Sequence, residues 1–259
     1  MAIPLSALWS AGCLWAATLS LPLASFPTAP IPTADACKQE LMNAYAHLQT
    51  GQQTVNGKAF YVHFLSQTAY RIPGQDGERQ SSVDAQLYTS GNQVYFHTPE
   101  VTMWQDGQFV VSVIQRQHTV FITRVLAGKK GPDPGQFTVF RDSLIRQSQV
   151  AFCRTEQVQN TTQQHLQLVL PLAGGNRSSN QKLEFWLREH RVQKMVINYG
   201  PGMPLSRLTL SFLKQQWVDK PEKLTADARA QILDKTGHLR PAYQGYRLVD
   251  QTSVTQTRK

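Results

Sequence analysis

At 259 residues the chain is long enough for one large domain or two small ones, and 41% hydrophobic against 17% charged residues excludes a disordered chain. The formal net charge is +9, yet residues 1–36 hold no Lys, Arg or His and a single acid, Asp35, so the whole basic excess falls on residues 37–259. The cations are scattered and no nucleic-acid-binding module accompanies them. Such a balance points to a solvated basic surface or to attraction for anionic headgroups, and away from nucleic acid.

The first 36 residues read as an export signal. LSALWSAGCLWAATLSLPLASF (5–26) is a long apolar run broken at Pro22, and Ala34-Asp35-Ala36 is a small-x-small cleavage pattern before Cys37. Two other readings stay open: an uncleaved membrane anchor, since the run is long enough to span, and lipidation at Cys13 or Cys37, each preceded by small residues. All three place residues 37–259 outside the cytoplasm, in a periplasm or at the periphery of an outer membrane. Cys37 and Cys153 are the cysteines beyond the signal, and an oxidising compartment invites a bridge between them; two separate thiols, with Cys153 a small buried apolar residue, is the alternative.

CKQELMNAYAHLQTG (37–51) has Leu41, Ala44, Tyr45 and Leu48 at helical spacing and Gly51 as a stop. Strand patterns follow. GKAFYVHFLSQTAYR (57–71) alternates strictly, a loop covers 72–78, and SVDAQLYTS (82–90) turns at Ser90-Gly91-Asn92 into QVYFHTP (93–99). Asp106-Gly107 joins VTMW (101–104) to FVVSVI (109–114), a strong hairpin signal, and TVFITRV (119–125) completes a meander of antiparallel strands. GKKGPDPG (128–135) is a loop, and FTVFRDSLIRQSQ (137–149) is read as a helix. Alternation returns in VAFCRTEQV (150–158), HLQLVLPL (165–172), KLEFWLREHRVQKMVINYG (182–200, two strands turning near Glu189-His190) and SRLTLSFLKQQWV (206–218). LTADARAQILDKTG (224–237) resembles a helix capped by Thr225 and stopped at Gly237, and 238–251 is a partly polar tail that lies across the sheet.

About eleven strands and three helices make a mainly β (α+β) chain. That many strands in one twisted sheet must curl. The expected fold is a curved, half-open antiparallel β-barrel with helices covering its concave face. Its parts are a signal or anchor (1–36), the half-barrel (37–218) and a C-terminal helix and extended tail (219–259).

Motifs for chemistry are missing. The sequence has no nucleophile elbow, phosphate-binding loop, dinucleotide fingerprint, H-E-x-x-H or C-x-x-C. His63, His97, His118 and His165 fall on or beside strands with no second ligand two or four residues away, and the acids Asp84, Glu100, Asp106, Glu184 and Glu189 sit mostly at turns or strand ends. No enzyme, metal or cofactor is expected. The short sequons at Asn160 and Asn176 carry no weight. What the chain has in quantity is apolar residues on both faces of its strands, FVVSVI and TVFITRV above all. Either helices cover both faces, or one face lines a cavity for an apolar ligand.

The order of these segments resembles the LolA-like family of periplasmic lipoprotein carriers and their relatives. GNQVYFHTP followed by a short strand and WQDGQFVVSVI, and later KLEFWLREHRVQKMVINYGPGMPLSRLTLSF, are similar to the family's central and closing strands, and the resemblance covers most of residues 37–218. It implies an incomplete barrel holding acyl chains under its helices, with lipid or lipoprotein acyl chains as partners, besides a membrane surface or another envelope protein. No residue here matches the arginine that latches the family's lid. Phe64, Tyr95, Met103, Trp104, Phe109, Val111, Val113, Phe121, Phe185, Trp186 and Phe212 are the candidate cavity wall, each equally a candidate for ordinary core. The alternative function is a structural or docking module of the envelope whose interior is filled; a hydrolase assembled from scattered strand residues is the third.

Overall fold

The computed structural model describes residues 32–50, 53–72, 74, 77–125, 145–158, 161–170, 181–199, 203–224 and 227–252. Among these residues one helix, α1 (Ala34–Gln49), precedes twelve strands: β1 (Lys58–Tyr70), β2 (Arg79–Ser90), β3 (Gln93–His97), β4 (Val101–Gln105), β5 (Phe109–Ile114), β6 (Thr119–Arg124), β7 (Gln149–Val158), β8 (Thr161–Leu170), β9 (Gln181–Arg188), β10 (Arg191–Asn198), β11 (Leu205–Asp219) and β12 (Arg247–Asp250). All twelve belong to one unclosed sheet in the order β12-β6-β5-β4-β3-β2-β1-β11-β10-β9-β8-β7. Two antiparallel meanders, β1–β6 and β7–β11, therefore meet along a single long seam between β1 and β11. That seam runs from Lys58 opposite Asp219 to Tyr70 opposite Leu205, with irregularities at His63/Phe64 and Ala69/Tyr70.

The half-open β architecture and eleven of its strands match the expectation. The twelfth does not: β12 joins the edge of β6 in parallel, Arg247 opposite Thr119 and Asp250 opposite Ile122, so the sheet is mixed. The chain between these two paired strands includes the whole β7–β11 meander, and Lys220 to Tyr246 joins the inner strand β11 to this edge.

Helix α1 begins three residues before the apolar periodicity because the Thr33 hydroxyl caps it, accepting from the Ala36 amide at 3.2 Å. Ala34–Ala36, the suggested cleavage pattern, form its first turn. Cys37, Leu41 and Ala44 are fully buried at i, i+4 and i+7 and pack with Leu166, Leu168, Phe185, Leu187 and Val192. Glu40 fastens the same helix to the β9–β10 turn, where the His190 ring nitrogen Nδ1 lies 2.7 Å from its carboxylate. Cys37 and Cys153 are joined in a disulfide that ties α1 to β7, and Gln164 directs its amide nitrogen at both sulfurs.

The expected helix over 224–237 is replaced by a 3-10 turn at Arg229–Gln231 and a bridge between Leu233 and Leu239. Acidic side chains take the backbone donors that a helix would use. Asp227 accepts from the Ala230 amide, and the Asp234 carboxylate accepts from the amides of Thr236 and His238. Such short-range side-chain bonds compete with helix formation. Of the helix expected over 137–149, residues 145–147 make a single turn; 137–144 lie outside the described residues, as do the loop at 128–135, both sequon asparagines and nearly all of the signal.

The disulfide closes a sequence separation of 116 residues, a loop whose closure in the unfolded chain amounts to roughly 4–5 kcal/mol on the chain-entropy account. Cys153→Ser is expected to lower the melting temperature by about 8–20 °C, measured against the oxidised parent by circular dichroism. A smaller effect comes from His47, whose pKa is held below that of a free imidazole by burial and then by Arg191. The folded chain thus binds fewer protons than the unfolded chain just below pH ~6.5. The stability this gives is complete above that pH and is lost as the pH falls through it. His47→Gln should flatten the drop in melting temperature between about pH 7 and 5.

Candidate functional site: two apolar faces and what covers them

Because side chains alternate along a strand and partnered residues share a face, the strand registers sort every position into one of two faces. On the first, which we call the tail face, Tyr88, Tyr95, Trp104, Val111 and Ile122 are partnered in sequence across β2 to β6. The next row holds Thr102, Val113 and Val120. This face is filled by the chain's own C-terminal segment. Leu224, Ala228, Ile232 and Leu233 are buried against it, with Leu239, Tyr243 and Tyr246 packed at the margin.

Asp106 holds that cover down. Its Oδ1 accepts from the amides of Gln108 and Phe109 at 2.6 and 2.7 Å, which shapes the β4–β5 turn, while its Oδ2 accepts from the Ala228 amide at 2.7 Å. At 4% exposure the carboxylate is satisfied by backbone donors on both sides of the interface. Lys223 adds a lid: its Nζ lies 4.5 and 4.6 Å from the ring centres of Tyr88 and Tyr95. Burial lowers its pKa and raises those of Tyr95 and Tyr243.

The second face carries α1. Phe185, Leu166, Leu168 and Leu187 lie beneath the helix on β8 and β9, and Met195 and Phe212 flank them. Across the other meander the same face continues as a row. Val62, Leu87, Phe96, Met103, Ser112 and Phe121 are partnered one to the next from β1 to β6. Phe64 stands beside it, opposite Ala85 and Phe212, its ring 6.0 Å from that of Phe212. Leu87, Phe96, Met103 and Phe121 are half-buried and belong to neither packed cluster among the described residues. At about 4.8 Å per strand the row is about 24 Å long.

The eleven candidate wall residues therefore divide. Tyr95, Trp104, Phe109, Val111 and Val113 lie on the tail face, the first, second, fourth and fifth of them buried and Phe109 packed under the Arg229 guanidinium at 5.1 Å. Trp186 is also on that side of the sheet, stacked on His165 at 4.3 Å with Lys194 4.6 Å from its ring. Phe185 lies under α1. Phe64, Met103, Phe121 and Phe212 lie on the helix side, Phe64 against Phe212, with Met103 and Phe121 three and five strands away along the row. The sequence list omits Leu87 and Phe96, which the alternation and the hairpin register could have supplied: Phe96 is the residue opposite Met103.

Two clefts open elsewhere. One of about 810 Å³ lies between the Asp106 turn and the tail, lined by Phe109, Asp227, Arg229, Asp234 and Arg240 among others. Another of about 590 Å³ borders the start of α1, with Glu40, Gln164 and His190. Neither includes a residue of the row. Among the described residues no His, Cys, Asp and Glu group is arranged to hold a metal ion, and no helix is long and apolar enough to cross a membrane.

No family model and no curated protein matches the chain. Solved structures do. LprF from Mycobacterium bovis is 14% identical and aligns over 76% of this chain and 98% of its own, with a TM-score of 0.40. A LolA superfamily protein from Nitrosomonas europaea is 13% identical over 70% and 97%, TM-score 0.31. A putative outer membrane lipoprotein-sorting protein domain from Vibrio parahaemolyticus is 10% identical over 73% and 95%, TM-score 0.28. The likeness to these three proteins is one of fold.

The tail face behaves as core. Trp104→Ala is expected to cost about 3–5 kcal/mol and Asp106→Ala about 2–4 kcal/mol, the latter by stranding buried amide donors. Urea unfolding of both variants checks this, and proteolysis near residues 227–240 should accelerate in Asp106→Ala.

Proposed function

We propose that this protein is an exported, non-enzymatic binding protein of the cell envelope that holds an apolar chain, a lipid acyl chain or the lipid of a lipoprotein, along the row from Val62 to Phe121. The observation that carries the reading is the contrast between the two faces. The tail face is packed by the chain's own residues, whereas Leu87, Phe96, Met103 and Phe121 stand half-buried outside either packed cluster. A row about 24 Å long suits an extended acyl chain laid across the strands. Met103 and the Phe rings give it an adaptable surface without charge. Binding of this kind needs no bond to form or break. The disulfide supports an oxidising compartment, and so export.

A second reading is that of a docking module that holds no guest. It is favoured by the cleft between the Asp106 turn and the tail, where Asp227, Arg229, Asp234, Lys235 and Arg240 gather charged groups of both signs.

Native mass spectrometry of the purified protein and titration with a fluorescent fatty acid separate the two. Uptake of the probe with micromolar affinity is expected for the parent. Phe96→Ser and Met103→Asp should abolish uptake while costing little stability, about 1–2 kcal/mol. Val113→Ala should do the reverse, costing about 1–3 kcal/mol and leaving uptake intact. A parent that takes up no probe and co-purifies with no lipid, yet captures one stoichiometric protein partner, overturns the acyl-chain reading in favour of docking.

A further inference from the structure

The tail covers its face of the sheet on the β2–β6 meander. On β7–β11 the same side of the sheet carries a different surface. Its registers place Phe152, Arg154 and Glu156 of β7, His165 of β8, Lys182, Glu184 and Trp186 of β9, Lys194 and Asn198 of β10, and Arg207 and Lys214 of β11 on one face. Contacts between these side chains agree with the assignment. Asn198 donates to Glu184 at 3.0 Å, His165 stacks on Trp186, and Lys194 lies over the Trp186 ring.

The two acids of this face are already engaged. Glu156 is paired with Arg154 at 2.5 Å, and Glu184 accepts from Asn198 with the His165 ring 3.6 Å away. Lys182, Lys194, Arg207 and Lys214 have no described carboxylate within salt-bridge distance, and three of them, Lys182, Arg207 and Lys214, are exposed. Four cations without a carboxylate partner among the described residues are thus spread over β9 to β11, beside the half-buried aromatics Trp186 and Phe152.

We infer that this face docks the protein onto an anionic membrane surface. Three physical features favour a bilayer over a small anion or an acidic peptide. The cations do not converge: they are laid out over three strands, about 10 Å across, and up to seven residues along them, from Arg207 to Lys214 on β11, so no single phosphate reaches them all. The surface is one face of a sheet, broad enough to meet several headgroups at once. Trp and Lys side by side suit the headgroup level, where the ring is part apolar and the ammonium meets phosphate. The inference goes beyond acyl-chain binding and does not depend on it, because the row from Val62 to Phe121 is on the opposite side of the sheet.

The test is co-flotation of the full chain with vesicles of phosphatidylcholine alone or with 30 mol% phosphatidylglycerol. The quantity read is the gain in binding that the anionic lipid confers, which cancels any contribution of the apolar N-terminus. A gain that falls steeply between low and high salt is expected for the parent. The triple variant Lys182→Gln, Lys194→Gln, Lys214→Gln should lose it by about a hundredfold, at about fivefold per cation. Lys220→Gln with Lys235→Gln, outside this face, should keep it. Fluorescent fatty acid uptake is measured on the same preparations, so failure here is distinguished from failure of the acyl-chain reading. Equal binding to both vesicle types, an unchanged triple variant that is folded by circular dichroism, or binding to polyglutamate as strong as to vesicles would overturn the inference.

Discussion

A β-strand that is apolar at every position has two faces to keep from water, and one cover cannot serve both. This constraint organises the whole molecule. The chain meets it diagonally: α1 lies on one face of the β7–β11 meander, and the C-terminal segment lies on the opposite face of β2–β6. Each cover leaves one quadrant of the sheet without described packing. One such quadrant is apolar and half-buried, the row that ends in Phe121. The other is cationic. The same arithmetic of alternation that builds two cores thereby leaves two surfaces of opposite character, on opposite sides of one sheet.

Asp106 shows how a residue chosen for a turn comes to govern something larger. A two-residue bend needs a short acceptor side chain, and Asp provides it through Oδ1. Its second oxygen is then left inside the molecule, where an unpaired carboxylate oxygen would be costly. The Ala228 amide meets that need. The tail is consequently keyed to the hairpin by a charged hydrogen bond as well as by greasy contact, and its path over Tyr95 and Trp104 is fixed at one point. Helix formation in 224–237 loses to this arrangement, since the donors a helix would consume are already taken by Asp106, Asp227 and Asp234.

Much of this was legible in the order of residues. Period-two alternation located eleven strands, the Asp106-Gly107 bend fixed the central register, and the paired apolar faces left two outcomes, a cover on each face or a cavity on one. The cysteines allowed a bridge without deciding it; only the approach of α1 to β7 does. What alternation could not deliver was which parity faced which cover. Trp104 and Met103 are neighbours, both large and apolar, with opposite fates, and only the position of the tail tells them apart. The parallel strand β12 was hidden for a related reason. Four residues, RLVD, carry too little pattern to be read as a strand, and they become one because β6 offers an unpaired edge.

The seam between β1 and β11 sets the order in which the fold can be completed. A chain released from its N-terminus can lay down β1 to β6 as successive local hairpins, each closing a short loop. The inner strand, β1, nevertheless remains a bare edge until β11 arrives, well over a hundred residues later, and the outer strand β6 waits longer still for β12. For most of its synthesis or transit the first half is a sheet open at both ends. Protection of those edges in the interval is a task for something other than the native contacts, and a chain that must cross a membrane before it folds would avoid the exposure by arriving whole.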